Sequence, residues 1–556
     1  MRTSAGSGDD SPQLQKHKEQ VSGISKQIAQ FNASHTPFRI FHGTTNSTRP
    51  SVRTKTGTVD ISSLNRVLFV DTSTRRCLVE PNVPMDALVA ATLPHGLVPP
   101  VVPEFPGITV GGAVAGTAGE SSSFRHGFFD KSITWAEVVL ADGEVVVASK
   151  EQNEDLFSGL AGTFGTLGVA TLFEMTLIPA KEYVELSYIP VASIEDAQEV
   201  IREVSEGDEM DFLDGIMFAP DKGVVMAGKF ADKVTTNTTT TTDATLPIVT
   251  FSGAWDQWFY LHAEQMLRDD SSRSKGEAGA TTAAETAVHR DLIPLTDYLF
   301  RYDRGAFWTG RFAFTYFLTP FTRVSRWLLD RYMHTRVMYH ALHRSGLMQR
   351  FIVQDMALPN KNIPRFSRWL DAELPHIYPR WLCPLRTHET VSMHPHLAPA
   401  ADSHDDVLLN IGVWGPTPPG ARQVAVNRRI EAVLGSLHGM KWLYAQTFYT
   451  EDEFWRIYDR PWYDALRKKY RAENLPSVYE KVRTKFDDTG SRTDKPDKTD
   501  GTENDDGGGG GGGNHPADDT DIRIGVEKGF WSVWPFAGIY GVLSAIKGGD
   551  YLRKNA

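Results

Sequence analysis

From Phe38 to Pro179 the chain alternates short β-branched runs with glycine, proline and aspartate. The runs Val67-Leu68-Phe69-Val70, Cys77-Leu78-Val79-Glu80, Glu137-Val138-Val139-Leu140, Val145-Val146-Val147 and Val169 to Ile178 have the length and composition of strands. Pro84 to Leu93 changes to helical spacing, with Pro84 at the start and Asp86 in the first turn. Asp142-Gly143 between two runs reads as a hairpin turn. Ahead of this block, Gln13 to Gln30 has a helical pattern dominated by charged and amide residues and predicts an entry helix. After it, Tyr183 to about Arg483 mixes strands such as Gly223-Val224-Val225-Met226 with aromatic-rich helices between Trp255 and Met348. Thr235 to Thr242 and Ser271 to Ala284 read as exposed inserts, and Asp487 to Asp521, with seven glycines from Gly507, as a flexible linker. Apolar residues return from Phe530 to Leu543.

These shifts divide the chain into an extension at 1–35, a strand-rich domain at 36–180, a larger α+β domain at 181–485, a linker at 486–521 and an apolar tail at 522–556. The length of 556 residues and 41% hydrophobic content suit several buried cores. The formal charge of −11 is spread without a basic stripe, which argues against nucleic acid as a partner. Two cysteines, Cys77 and Cys383, without ligand spacing, support neither a disulfide framework nor a zinc site, so no metal is expected. Met1 to Pro12 lacks the basic end and apolar run of a signal peptide, and an intracellular setting is expected. The tail is too short and too broken by Pro535, Gly538 and Gly541 to be read as a transmembrane helix outright. Docking on the folded body, peripheral membrane contact and a true span are all open to it.

The candidate chemistry begins at Thr109-Val110-Gly111-Gly112-Ala113-Val114-Ala115-Gly116, followed by Thr117, Ala118, Gly119, Glu120 and Ser121-Ser122-Ser123. So little side-chain bulk lets backbone N–H groups approach a diphosphate, and it equally suits a tight turn between helix and sheet. A second donor-rich loop, His42-Gly43-Thr44-Thr45-Asn46-Ser47, lies upstream, and Gly162-Thr163-Phe164-Gly165-Thr166-Leu167-Gly168-Val169 lies downstream. Two donor loops in one domain suit a ligand with a central diphosphate.

In this order and spacing the pieces resemble the FAD-binding domain of the vanillyl-alcohol-oxidase/para-cresol-methylhydroxylase (PCMH) superfamily, over about Phe38 to Pro179. A narrower resemblance, to the Δ24-sterol reductases of the diminuto/dwarf1 or seladin family, rests on Pro103 to Ile108, Glu120 to Ser123, His126 to Phe129, Phe307-Trp308, Val353 to Met356, Tyr378 to Pro384 and His438 to Trp455. It implies an α+β chain in which a two-lobed PCMH-type FAD-binding domain precedes an α+β substrate (cap) domain. It also implies FAD contacts from His42 to Ser47, from Thr109 to Ser121, and at Gly168 and Val169. Asn46 stands where many superfamily members carry a flavin-linking histidine, so the FAD is expected to be non-covalent. The family carries an N-terminal membrane anchor with no counterpart in this sequence. That leaves the tail as the expected peripheral contact, at the cytoplasmic face of the endoplasmic reticulum or in the cytoplasm.

The implied reaction uses NADPH to reduce FAD and then saturates the side-chain Δ24 double bond of a sterol or related lipophilic terpenoid. An unactivated alkene accepts hydride only if a proton is also delivered, so the protein must supply an acid and exclude water. Candidate acids or relays are Glu120, His126, Tyr302, Asp355, Tyr378, His438, Tyr444, Tyr449, Glu451 and Glu453, with Glu120, Tyr444 and Asp355 foremost. Two other readings of the scaffold are an oxygen-using FAD oxidase and a non-catalytic lipid- or partner-binding protein. The arginines Arg323, Arg326, Arg331 and Arg336, interleaved with Trp327, Leu328 and Leu329, read as a solvated helix face or as a membrane-surface helix.

Overall fold

The computed structural model describes residues 11–42, 57–232, 246–270, 289–387, 393–394, 407–486 and 534–548. The threonine run, the serine-rich insert, the glycine linker and the loop from Gly43 to Ser47 lie outside them. The first lobe pairs β1 (Arg39–Phe41) in parallel with β2 (Thr58–Asp60). It also contains β3 (Val67–Asp71), β4 (Arg76–Val79), β5 (Leu97–Val98), β6 (Ile133–Val139), β7 (Val145–Ser149), β8 (Val169–Thr176) and β9 (Ile178–Pro179). Five of these form one sheet in the order β3-β4-β8-β6-β7, and β5 pairs with β9. Gly143 makes the β6–β7 turn at φ +91°, a conformation that disfavours any side chain.

The second lobe is built on β10 (Tyr183–Val191), β11 (Phe212–Ala219), β12 (Lys222–Ala231), β13 (His289–Pro294), β14 (Phe351–Pro359), β15 (Arg380–Arg386), β16 (Val407–Pro416) and β17 (Met440–Lys441). They form an eight-stranded sheet in the order β13-β10-β12-β11-β15-β16-β14-β17. The helices Ile194–Glu206, Ile363–Glu373 and Gln423–Ser436 cover one face, burying Ile201, Phe366 and Ile430 against Ile352, Met356, Leu382, Ile411 and Val413. Because side chains alternate along a strand, Val353 and Asp355, Trp381 and Cys383, and Asn410 and Trp414 point to the opposite face. That face is turned to the first lobe.

Two terminal segments behave differently from their sequence patterns. The amino-terminal helix Pro12–Ala33 is part of the first lobe's core, with Val21, Ile24 and Ile28 buried beside Val139 and Val169. Its polar majority faces outward and hides this stripe. In the tail, Gly538 and Gly541 do not break the helix Phe536–Lys547 but form its contact face, and Pro535 sits before its first turn. A Cβ at Gly541 would lie 2.4 Å from the Ala341 carbonyl oxygen, and one at Gly538 would lie 2.5 Å from the Tyr316 ring. Glycine allows this close crossing of the helix Thr335–Ser345, and Trp534 Nε1 donates to the Tyr316 carbonyl at 2.6 Å.

Candidate active site

One cavity of about 530 Å³ runs between the lobes, from the glycine-rich segment to the exposed face of the eight-stranded sheet. Thr109 is extended and caps the helix Val110–Ala115, its hydroxyl accepting from the Gly112 N–H at 3.2 Å. Gly111 donates to the Pro81 carbonyl at 2.8 Å, and a Cβ there would meet Pro81 at 2.9 Å, so the backbone can run this close only as glycine. Thr109, Gly111, Gly112, Ala113, Val114, Ala115, Gly116, Ala118 and Gly119 face the cavity, as do His42 and Gly168. Val110 and Val169 are buried in the core instead. Thr117, at φ +52°, offers its carbonyl to Trp442 Nε1 at 2.8 Å and so joins the lobes. Ser121 bonds to Glu120 at 2.8 Å and does not line the cavity.

The same end of the cavity carries Phe164 and Gly165 of the downstream glycine segment, together with Arg39, Asn82 and Lys481, which the sequence patterns did not single out. Lys481 comes from the helix Val478–Val482, more than 300 residues after the first lobe's β-strands, and donates to the Phe164 carbonyl. Such a contact leaves no local sequence signal. His42 Nδ1 is buried with no partner among the described residues. Burial, then the Lys481 charge, push the imidazole pKa down to about 4, so it is neutral at pH 7. A glycine surface without side chains, two cations and an unpaired ring nitrogen fit a diphosphate-containing cofactor such as FAD.

The opposite end is apolar and aromatic, with Phe307, Phe312, Met333, Tyr339, Trp381 and Trp414 in its wall. Of the ten candidate acids, only Asp355 and Tyr444 reach it. The Tyr444 hydroxyl donates to Asp355 Oδ2, and Asn410 Nδ2 donates to Oδ1 at 3.0 Å. Burial raises the Asp355 carboxyl to about 6 against these bonds. Its neighbour Gln354 points the other way, to Asn427 and the Gln446 carbonyl.

The remaining candidates have other surroundings. Glu120 accepts from Ser121 and Ser122 and borders a separate void of about 10 Å³ shared with His126. Tyr302 donates to Asp214 at 2.8 Å, Tyr378 donates to Asp371, and Glu453 closes a helix capping box while pairing with Arg428. Tyr449 is a core residue, Glu451 starts the same capped helix and His438 occupies a left-handed turn. Arg336 binds Asp86 of the first lobe at 3.3 Å, whereas Arg323 stacks over Trp255 at 4.8 Å. A further acid lines the cavity outside the ten: Glu104. A carboxylate inside the apolar run Val101-Val102-Pro103-Glu104-Phe105-Pro106 was the signal available for it.

Residues 16–149 match the FAD binding domain family. The chain is 28% identical over 484 residues to Delta(24)-sterol reductase of Macaca fascicularis, covering 84% of this chain and 86% of that protein. The same identity extends over 477 residues of Delta(24)-sterol reductase of Pisum sativum, covering 79% and 77%. Cytokinin dehydrogenase 9 of Oryza sativa subsp. japonica is 30% identical over 137 residues, 24% of this chain and 26% of that one. Two lobes around a glycine-lined cavity, with this match, define an FAD-binding oxidoreductase of the PCMH-type superfamily. Within that class, the similarity that spans most of the chain is to proteins named Delta(24)-sterol reductase.

Proposed function

We propose that the chain uses NADPH to reduce the Δ24 side-chain double bond of a sterol or related terpenoid through non-covalently held FAD. The observation that carries this reading is the continuity of the cavity. A cofactor end with glycine backbone, Arg39 and Lys481 opens without interruption into an apolar, aromatic end whose lining suits a lipophilic substrate. The relatives named Delta(24)-sterol reductase supply the substrate class. His42, Thr109, Gly111, Gly112, Gly116 and Gly168 would hold the cofactor together with the Gly43 to Ser47 loop. When bound, FAD supplies hydride chemistry.

The protein contributes enclosure and acid groups. Phe307, Trp381 and Trp414 exclude water from the alkene, and the Tyr444–Asp355 pair puts a proton-bearing group in the wall. Access from a lipid surface supports a place at the cytoplasmic face of the endoplasmic reticulum, with the tail helix as the peripheral contact. No helix among the described residues is long and apolar enough to cross a membrane.

Incubation of the FAD-loaded protein with NADPH and desmosterol tests the reading by mass spectrometry. A gain of two hydrogens at the side chain is expected. Oxygen consumption with peroxide release and no alkene reduction would replace it with the oxidase reading, and failure to take up FAD would favour a non-catalytic one.

A further inference from the structure

Glu104 lies five residues before the Thr109 cap and is held between two prolines. The residue lines the cavity while only 7% exposed, and its Oε1 is buried with no partner among the described residues. The next residue, Phe105, packs edge-on against Phe307 at 5.6 Å and Tyr339 at 6.1 Å, which fixes the segment against the aromatic wall.

The charged groups facing Glu104 leave it without a counterion. Arg301 pairs with Asp214 at 3.0 Å, and the same carboxylate oxygen accepts from Tyr302 and Trp381. Glu120 has its own bonds from Ser121 and Ser122, and Cys383 is a buried thiol. Burial first, then the charge of Glu120, push the Glu104 carboxyl well above the usual carboxylate range, and Arg301 offsets this only in part. These surroundings favour the protonated, O–H-donating form of Glu104 over its carboxylate. The other cavity acid differs: both Asp355 oxygens are engaged by Tyr444 and Asn410, and the Tyr444 proton is directed to Asp355.

Resting on the reductase reading above, we infer that Glu104 is the catalytic proton donor to the alkene. Its O–H bond breaks as a C–H bond forms at the less substituted carbon, and hydride from the reduced cofactor, originating in the nicotinamide, reaches the more substituted one. The carboxylate that remains regains a proton from water through Glu120. The void of about 10 Å³ that Glu120 borders with half-buried His126 is about one water in size.

The test uses the FAD-loaded full chain as wild type, Glu104→Gln, Glu104→Asp, Tyr444→Phe and Asp355→Asn. In Glu104→Gln, flavin bleaching by NADPH without oxygen should persist, while desmosterol reduction by the pre-reduced protein should fall about 100-fold or more. Glu104→Asp should restore part of it. Independently of turnover, the wild-type infrared spectrum at pH 7 should contain a protonated-carboxyl band, shifted in D₂O, that Glu104→Gln removes. Wild-type desmosterol reduction by Glu104→Gln, retention of the band in that variant, or loss of the alkene step only in Tyr444→Phe and Asp355→Asn would overturn the assignment. A wild type that bleaches with NADPH but adds no mass to desmosterol would overturn the reductase reading instead, with the band still reporting on Glu104.

Discussion

Asp355 is placed in the cavity wall by strand alternation and carries a charge that its surroundings disfavour. Its carboxyl, near 3.8 in an unfolded chain, is raised to about 6 by burial. The folded state therefore binds this proton more tightly than the unfolded state. The stabilisation that results is fully present below about pH 4 and is lost as pH rises through about 6. A shift of this size corresponds to roughly 3 kcal/mol. Asp355→Asn keeps the volume and the acceptor for Tyr444, and the Asn410 amide can turn its own unpartnered carbonyl towards the new NH₂. The variant should consequently melt above the wild type at pH 7.5, with the gap closing towards pH 4.5. Thermal melts across that range measure it, and a gap independent of pH would refute the charge argument. The choice between Gln354 and Asp355 was not legible from composition, because both are polar neighbours. It follows only from the register Asp355↔Gly412, once it is known which face the helices cover.

At the scale of elements, the apolar runs of the first lobe were legible because each β-branched run is bounded by a turn residue. The runs at Val67, Cys77, Val145 and Val169 all became strands. The amino-terminal helix was legible as a helix but not as core, since the groups that anchor it are distant in sequence. His17 is 1% exposed and bonds to Glu80 at 2.8 Å and Glu137 at 3.1 Å. Burial alone would lower the imidazole pKa, but hydrogen bonds and charges from Glu137 and Glu80 overcome this and raise it to about 9. The contribution of His17 is fully present below about pH 6.5 and is lost as pH rises through about 9. Both partners are held below the usual carboxylate range, so their contribution fades on acidification. His17→Ala also strands Glu80 with Arg66 alone and should cost about 3 kcal/mol at pH 7. Denaturant unfolding should give that loss, and the wild type should weaken between pH 7 and pH 10 more steeply than the variant. Parallel curves would show that the helix is held by Val21, Ile24 and Ile28 alone.

Across the whole molecule, the tail helix packs on the helix Thr335–Ser345 and against Tyr316 and Phe317, at the wall of the cavity. Gly538 and Val542 belong to the cavity wall, so the helix that the tail contributes closes the site as well as docking on it. Its outer side exposes Trp534, Ile539, Tyr540 and Leu543, and the neighbouring segment exposes Leu318, Val324, Trp327 and Leu328, the last at 64%. Trp327 meets Trp255 edge-on at 5.8 Å, with the Arg323 guanidinium over the Trp255 ring. Exposed apolar side chains, with indoles and an arginine among them, suit the interface of a bilayer. Burying one such leucine is worth roughly 2 kcal/mol, so losing two should reduce vesicle binding by at least about tenfold. On the proposed peripheral-contact reading, the wild type should float with phosphatidylcholine vesicles and Leu328→Asp combined with Leu543→Asp should not. The same variant should reduce sterol supplied in cyclodextrin at the wild-type rate but lose turnover of sterol embedded in vesicles, because neither leucine lines the cavity. Equal loss in both assays would mean that the substitutions disturb the helix packing at Gly541, and undiminished flotation would place the lipid contact elsewhere.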